Sequence, residues 1–297
     1  MDTQYKNIIV KSPKQKQTIY SYLKMNNYSE NFLKNLRKEF GFILLNGEKC
    51  FINEIVNDGD TISINLNPNT KTSVYSCIIP LDVVYEDDEV LVVNKPSMMA
   101  TMPSKSHFKF NLCGAIMGYM EKKDSNFVVR IINRLDKEAC GMVLVAKNSL
   151  SANFLNQNGN VDKTYYALCE GTFNDDKIKI EKSIETLKNI NGINLNKRAT
   201  SISGKSAKTY VNLIKNYSNY SLIKINLEHG RTHQIRVHLS SIGHPLLGDS
   251  LYGEKSEFIS HTALCCKEMS FVHPATRQRI SLEIPFPEDF IKLISRN

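Results

Sequence analysis

The chain has 297 residues, 41% of them apolar and 23% charged, an ordinary composition for a soluble globular protein of roughly two domains with a real core. No apolar run approaches the ~20 residues needed to span a bilayer, and the first residues lack an apolar stretch before a small-residue cleavage site, so neither a membrane span nor a secretory leader is predicted. Seven cysteines without a C-x-x-C pair argue against a disulfide framework or a zinc module and for a reducing cytoplasm, while a net charge of +8 favours a polyanionic partner, nucleic acid first.

Residues 16–66 read as a compact unit. Ile19, Leu23 and Met25 belong to a first short helix. Ser29 is the expected N-cap of a second, which carries Phe32, Leu33, Leu36 and Phe40 and ends before Gly41. Asn46-Gly47 between apolar runs signals a hairpin, and Asp58-Gly59-Asp60 a further turn before the alternating strand Thr61–Leu66. Two short helices followed by small strands resemble the S-four-type RNA-binding domain, named for a ribosomal protein. That resemblance implies RNA contact through Lys34, Arg37 and Lys38; the plainer alternative is a solvated helix face diluted by Glu30 and Glu39.

Residues 1–70 are therefore expected to form a small N-terminal α/β RNA-binding domain. Residues 71–80 are expected to be a linker, since 67–77 are polar and hold Pro68. From 81 to 297, apolar strands recur at Val90–Val93, Met142–Ala146, Tyr165–Cys169, Ala207–Ile214 and Leu222–Leu227, with a helix near Leu112–Glu121. The spacing lacks regular βαβ units and predicts an α+β fold with a mixed, largely antiparallel sheet. The polar segment 181–206 reads as an exposed hairpin or loop. Thr232 is expected to cap a helix through about Ile242, with Gly243 closing it. Its first turn would offer backbone N–H groups, Arg231 and Arg236 to an anion.

Asp136 is the residue that most needs explaining. It lies in Arg-Leu-Asp-Lys, between Ile131-Ile132 and the apolar strand Met142–Ala146, and a carboxylate there is costly unless paired or given a task. A structural ion pair at the start of a strand is the plainer reading. His229 precedes the turn while His233 and His238 are five apart, so the three do not present the i, i+4 pair of a helical zinc site, and no G-x-S-x-G or G-x-G-x-x-G occurs.

Five stretches in order (NKP at 94–96, RLDK-x-x-x-G-x-x-L-x-AK from 134, K-x-Y-x-A from 163, GRTHQIRVH from 230, HPLLGD-x-LYG from 244) closely resemble the RluA-type family of RNA pseudouridine synthases. The resemblance runs from about residue 80 to 290 and implies that residues 81–297 form the catalytic domain. It implies isomerisation of a uridine within RNA. The bond from ribose to nitrogen breaks, the uracil turns, and it rejoins through carbon 5. No redox change occurs, so no cofactor or metal is implied.

The resemblance makes Asp136 the catalytic carboxylate, acting by attack on the anomeric carbon or by removal of the 2′ proton. Arg236 is its expected cation, with Arg231 second. Tyr165 is expected to stack on the uracil and to assist proton removal at carbon 5. Arg134 would fill the space left by the flipped uridine, Leu264 would back the pocket, and Lys95 and Lys163 would meet phosphates or acidic loops. Met102, Asn133, Cys140 and Cys265 depart from the family pattern and bear on target choice and loop packing. The expected partner is RNA, with ribosomal RNA favoured and transfer RNA the alternative, and the chain is expected to be a monomer. The rival reading is a noncatalytic RNA-binding or ribosome-assembly protein on the same scaffold.

Overall fold

The computed structural model describes residues 5–26, 28–37, 42–65, 74–123, 127–157, 160–187 and 197–295. The N-terminal unit contains β1 (Tyr5–Ile9), α1 (Ile19–Met25), α2 (Glu30–Leu36), β2 (Ile43–Leu45), β3 (Glu48–Cys50) and β4 (Thr61–Asn65). Its antiparallel sheet runs β1-β4-β2-β3. Ser29 caps α2 by accepting from the Phe32 N–H, as its position predicts. Asn46 and Gly47 both take positive φ, the geometry that a two-residue hairpin with the native twist requires. Ile19, Leu23, Phe32, Leu33, Ile62 and Ile64 close a core of their own. Strand β1 went unread because Tyr-Lys-Asn-Ile-Ile has no clean alternation. Lys38, Phe40 and Gly41 lie outside the described residues.

The second unit contains β5 (Asp82–Glu86), β6 (Val90–Lys95), α3 (Leu112–Met120), β7 (Arg130–Ile131), β8 (Cys140–Ala146), α4 (Ser149–Gln157) and β9 (Asp162–Glu170). It continues with β10 (Lys177–Glu181), β11 (Ile184–Thr186), β12 (Arg198–Thr200), β13 (Lys208–Asn216), β14 (Tyr220–Glu228), α5 (Gln234–Ser240), β15 (Leu264–Val272), β16 (Arg279–Glu283) and α6 (Glu288–Ile294). One sheet runs β10-β13-β14-β9-β15-β8-β6-β5, with β16 on β15 and β7 on β8. This is the expected mixed, largely antiparallel α+β arrangement. Its parallel step joins β15 to β8 through Cys265–Cys140 and Cys266–Gly141.

Strand β8 is buried along its whole length, which is why it reads as an unbroken apolar run rather than an alternating one. Gly141 sits at the parallel step with φ +110, and a Cβ there would meet the Cys266 backbone at 2.5 Å. Residues 74–79 are docked rather than a free tether: Cys77 N–H donates to the Gly114 carbonyl, and a Cβ on Gly118 would meet the Cys77 carbonyl oxygen at 2.3 Å. Within the polar stretch 181–206, β11 pairs antiparallel with β12.

The start of α5 corrects the sequence reading. The N-cap is His233, left-handed at φ 58, and Thr232 is not the cap. Gln234 explains the change, because its side-chain oxygen accepts from the Arg231 N–H and so closes the turn from inside. The helix ends at Ser240, short of Ile242, and Gly243 (φ +84) follows as predicted.

Candidate active site

Asp136 lies on the loop between β7 and β8, with its side chain 25% exposed. The loop is held from both sides. Thr101 Oγ1 donates to the Leu135 carbonyl at 2.7 Å. Asn133, buried, accepts the Leu144 N–H and donates to the Met142 carbonyl, fixing the chain where it turns into β8.

Arg236 projects from α5 and is 4% exposed. Its Nε and Nη2 bind Asp249 bidentately at 2.7 and 2.6 Å, and Nη2 also reaches Glu138 Oε2 at 2.9 Å. Its Nη1 lies 3.8 Å from Asp136 Oδ2. The expected arginine and aspartate are thus neighbours, but Asp249 is the arginine's principal partner. Burial alone would lower the Arg236 pKa; the bonds and charge of Asp249, with Asp136 and Glu138, outweigh it and raise it. So engaged, Arg236 does not offer itself to an external anion as the sequence suggested.

Asp249 is fully buried and also accepts from the Leu251 and Tyr252 N–H groups. Glu138 accepts in addition from Thr262 Oγ1 at 2.6 Å. Asp249 and Glu138 therefore aim the guanidinium, while Asp136 meets its field without a hydrogen bond that would occupy its oxygens. Sequence reasoning missed both supporting carboxylates. Glu138 follows Asp136 by two residues, and Asp249 stands inside the HPLLGD stretch, so each was in view but unassigned.

The cleft above Asp136 holds about 80 Å³ and is lined by Arg134, Tyr165, Arg231, His233, Arg236 and Leu264 among others. Leu264 opens β15. Tyr165, on β9, is opposite Cys266 in register, so a single row across the sheet runs Tyr165, Cys266, Gly141. Burial, the Cys266 thiol and the Asp136 charge raise the Tyr165 phenol well above its usual 10, which makes it a neutral group. His233 is pulled below its usual range chiefly by burial, with Arg236 and Arg198 adding to the effect and Asp136 opposing it. The Tyr252 hydroxyl accepts from the Arg198 N–H at 2.7 Å and lies 2.9 Å from His233 Nδ1, to which it can donate.

Among the cations, Arg134 is exposed at the rim. Arg231 is half-buried, donates from Nε to the Ser206 carbonyl, and lines both this cleft and a neighbouring one beside Arg198 and Lys205. Lys163 stands two residues before Tyr165 on β9 and donates to the Val161 carbonyl at 3.1 Å. Lys95 departs from expectation. It is 0% exposed, and its ammonium donates to the carbonyls of Pro96, Met99, Lys137 and Ala139. It cannot touch a phosphate; it ties the segment after β6 to the loop that carries Asp136.

A family profile described as RNA pseudouridylate synthase matches residues 89–241, the span that holds Asp136, Tyr165 and Arg236. The uncharacterized RNA pseudouridine synthase YhcT of Bacillus subtilis is 34% identical over 84% of this chain and 83% of its own. Ribosomal large subunit pseudouridine synthase D of Neisseria meningitidis is 31% identical over 90% of this chain and 75% of its own. Among solved structures, human RNA pseudouridylate synthase domain containing 1 shares the fold, with a TM-score of 0.57 over 70% of this chain and 84% of that one at 22% identity. These likenesses define the class, an RNA-modifying isomerase. The chain belongs to the RluA-type family of RNA pseudouridine synthases.

Proposed function

We propose that the chain converts specific uridines of structured RNA to pseudouridine with Asp136 as the reacting carboxylate, large-subunit ribosomal RNA being the first target and transfer RNA the second. The carrying observation is the approach of Arg236 Nη1 to Asp136 Oδ2 at 3.8 Å on the floor of the cleft. A cation at that distance favours the ionised carboxylate, and the oxygens stay open to the ribose. Either attack on the anomeric carbon or removal of the 2′ proton needs that state.

The remaining roles are those the family resemblance implies, and the residues' placement supports them. Tyr165 offers a ring face to the uracil, and its high pKa supports the stacking role over proton removal. Leu264 closes the back, Arg134 at the rim fills the stack vacated by the flipped base, and Arg231 and Lys163 meet the backbone. Lys34 and Arg37 of the N-terminal unit add RNA contacts, with the Arg37 guanidinium held 4.4 Å over the Tyr20 ring. Support for ribosomal RNA comes from the relative named as a large-subunit enzyme and from the net charge of +8. The chain acts as a monomer in the cytoplasm, a compartment that suits seven free cysteines. No helix among the described residues is long and apolar enough to cross a membrane.

The test is carbodiimide mapping of large-subunit ribosomal RNA transcribed in vitro and incubated with the purified chain. New adduct stops at one or a few uridines are expected, with none from Asp136→Asn. Full activity in that variant would refute the assignment of the carboxylate. A noncatalytic RNA-binding or ribosome-assembly role predicts no stops from either protein.

A further inference from the structure

The segment between β6 and α3 displays large apolar side chains to solvent on an unusually well-anchored loop. Phe108 is 54% and Phe110 72% exposed, and Met98 and Met102 are also exposed. An exposed cluster of this kind marks a contact surface more often than an accident of packing. Looseness does not explain it. Lys95 bonds the Met99 carbonyl, Thr101 bonds Leu135, and the Leu112 and Cys113 N–H groups donate to the Ala100 and Thr101 carbonyls. Asn111 caps α3 while donating to the His107 and Phe108 carbonyls.

The chemistry of the loop is specific. Residues 97–111 read SMMATMPSKSHFKFN, with lysines at 105 and 109 interleaved with aromatics and no acidic residue. Phe108 is backed by Tyr75 (ring centroids 6.4 Å apart), and the Lys109 ammonium lies 5.8 Å over the same tyrosine. The Tyr75 backbone packs closely on α3, where a Cβ on Gly114 would meet its carbonyl oxygen at 2.6 Å. Ring faces alternating with cations suit single-stranded nucleic acid, which presents stacked bases and a charged backbone together. The Thr101 bond to Leu135 ties the start of this segment to the loop that carries Asp136.

We propose that residues 98–110 form a stacking platform for the unpaired nucleotides next to the target uridine, with Phe108 and Phe110 carrying bases and Lys105 and Lys109 their phosphates. The inference rests on the reading of the chain as an RNA uridine isomerase and adds a specificity surface to it. Because the loop is already fixed, little ordering entropy opposes binding.

The test compares the full-length wild type with Phe108→Ala/Phe110→Ala and with Lys105→Gln/Lys109→Gln, using a large-subunit ribosomal RNA transcript as probe. Loss of the rings is expected to raise both Kd and KM by about ten-fold or more, at unchanged kcat. Loss of the lysines is expected to lower the slope of log affinity against log salt by about 0.7 for each lost phosphate contact. Wild-type Kd and KM in the ring variant would overturn the platform while leaving the isomerase reading intact. A wild type that makes no pseudouridine yet loses RNA binding on removal of the rings would keep the platform and sink the isomerase. Unchanged RNA binding together with loss of a dimer on gel filtration would overturn it in favour of a surface between copies of this chain.

Discussion

Arg236 Nη1 and Asp136 Oδ2 stand 3.8 Å apart, close enough for charge to act and too far for a hydrogen bond. The same guanidinium holds Asp249 at 2.6 and 2.7 Å. One arginine thus serves carboxylates in two different ways, fixing one and electrostatically supporting the other.

This difference separates the expected effects of two substitutions. Asp136→Asn removes a group that is partly exposed and holds no hydrogen bond to Arg236, so stability should change by less than about 1 kcal/mol. Activity should fall by roughly 10³-fold or more, with RNA binding retained. Urea unfolding and adduct mapping on the same preparation check both halves, and a large loss of stability would show that Asp136 is structural.

Arg236→Met should do the opposite to stability. It leaves buried Asp249 and half-buried Glu138 without their cation, a loss of about 3–5 kcal/mol for breaking a buried pair from one side. Adding Asp249→Leu should recover part of it, because the stranded charge goes too. Equal unfolding midpoints for wild type and single variant would contradict the arrangement.

Tyr165→Phe and Tyr165→Ala separate the two roles expected of that residue. If the ring face is what matters, the phenylalanine variant keeps its affinity for RNA and the alanine variant loses it. The alanine variant should also be less stable by about 3–5 kcal/mol through the cavity it leaves. A large kcat loss in the phenylalanine variant, at unchanged affinity, would restore the hydroxyl to the proton transfer.

Lys95 gives a pH signature. Burial pulls its ammonium from 10.5 down to about 8, with the neighbouring Cys140 and Asp136 opposing the shift. Below pH 8 both folded and unfolded chains carry the proton, and the cost of burying the charge is constant. Between about 8 and 10.5 the folded chain releases it first, so this residue's contribution to stability rises with pH, by at most about 1.4 kcal/mol per unit. Lys95→Met should lack that component when unfolding free energy is followed from pH 7.5 to 10. Parallel profiles for the two proteins would show that Lys95 does not titrate there.

The parts of the site that were legible in the sequence are those where motif and chemistry coincide. A carboxylate between apolar segments called for a cation, and the family resemblance pointed to Arg236 a hundred residues away as that cation. Tyr165 and Leu264 were found through the family resemblance of their stretches, and both line the cleft. Lys95 was misread because a lysine in sequence looks like surface, and only the fold brings four carbonyls to one ammonium. Thr232 was misread because side-chain type suggests a cap, whereas the closing bond comes from Gln234, the first residue of the helix. Asp249 escaped because nothing local distinguishes a carboxylate that orients an arginine from one that faces water.

Strand β15 lies between β9 and β8 in the sheet although it is made about a hundred residues after either. Until it emerges from the ribosome, the nascent chain can hold only two half-sheets, one carrying Asp136 and the other Tyr165. Long-range closure of this kind is slow compared with hairpin formation. The cleft therefore comes into being late, when the wedge strand joins the halves and brings Leu264 with it. A growing chain would carry nearly every side chain of the cleft well before it could turn over a uridine.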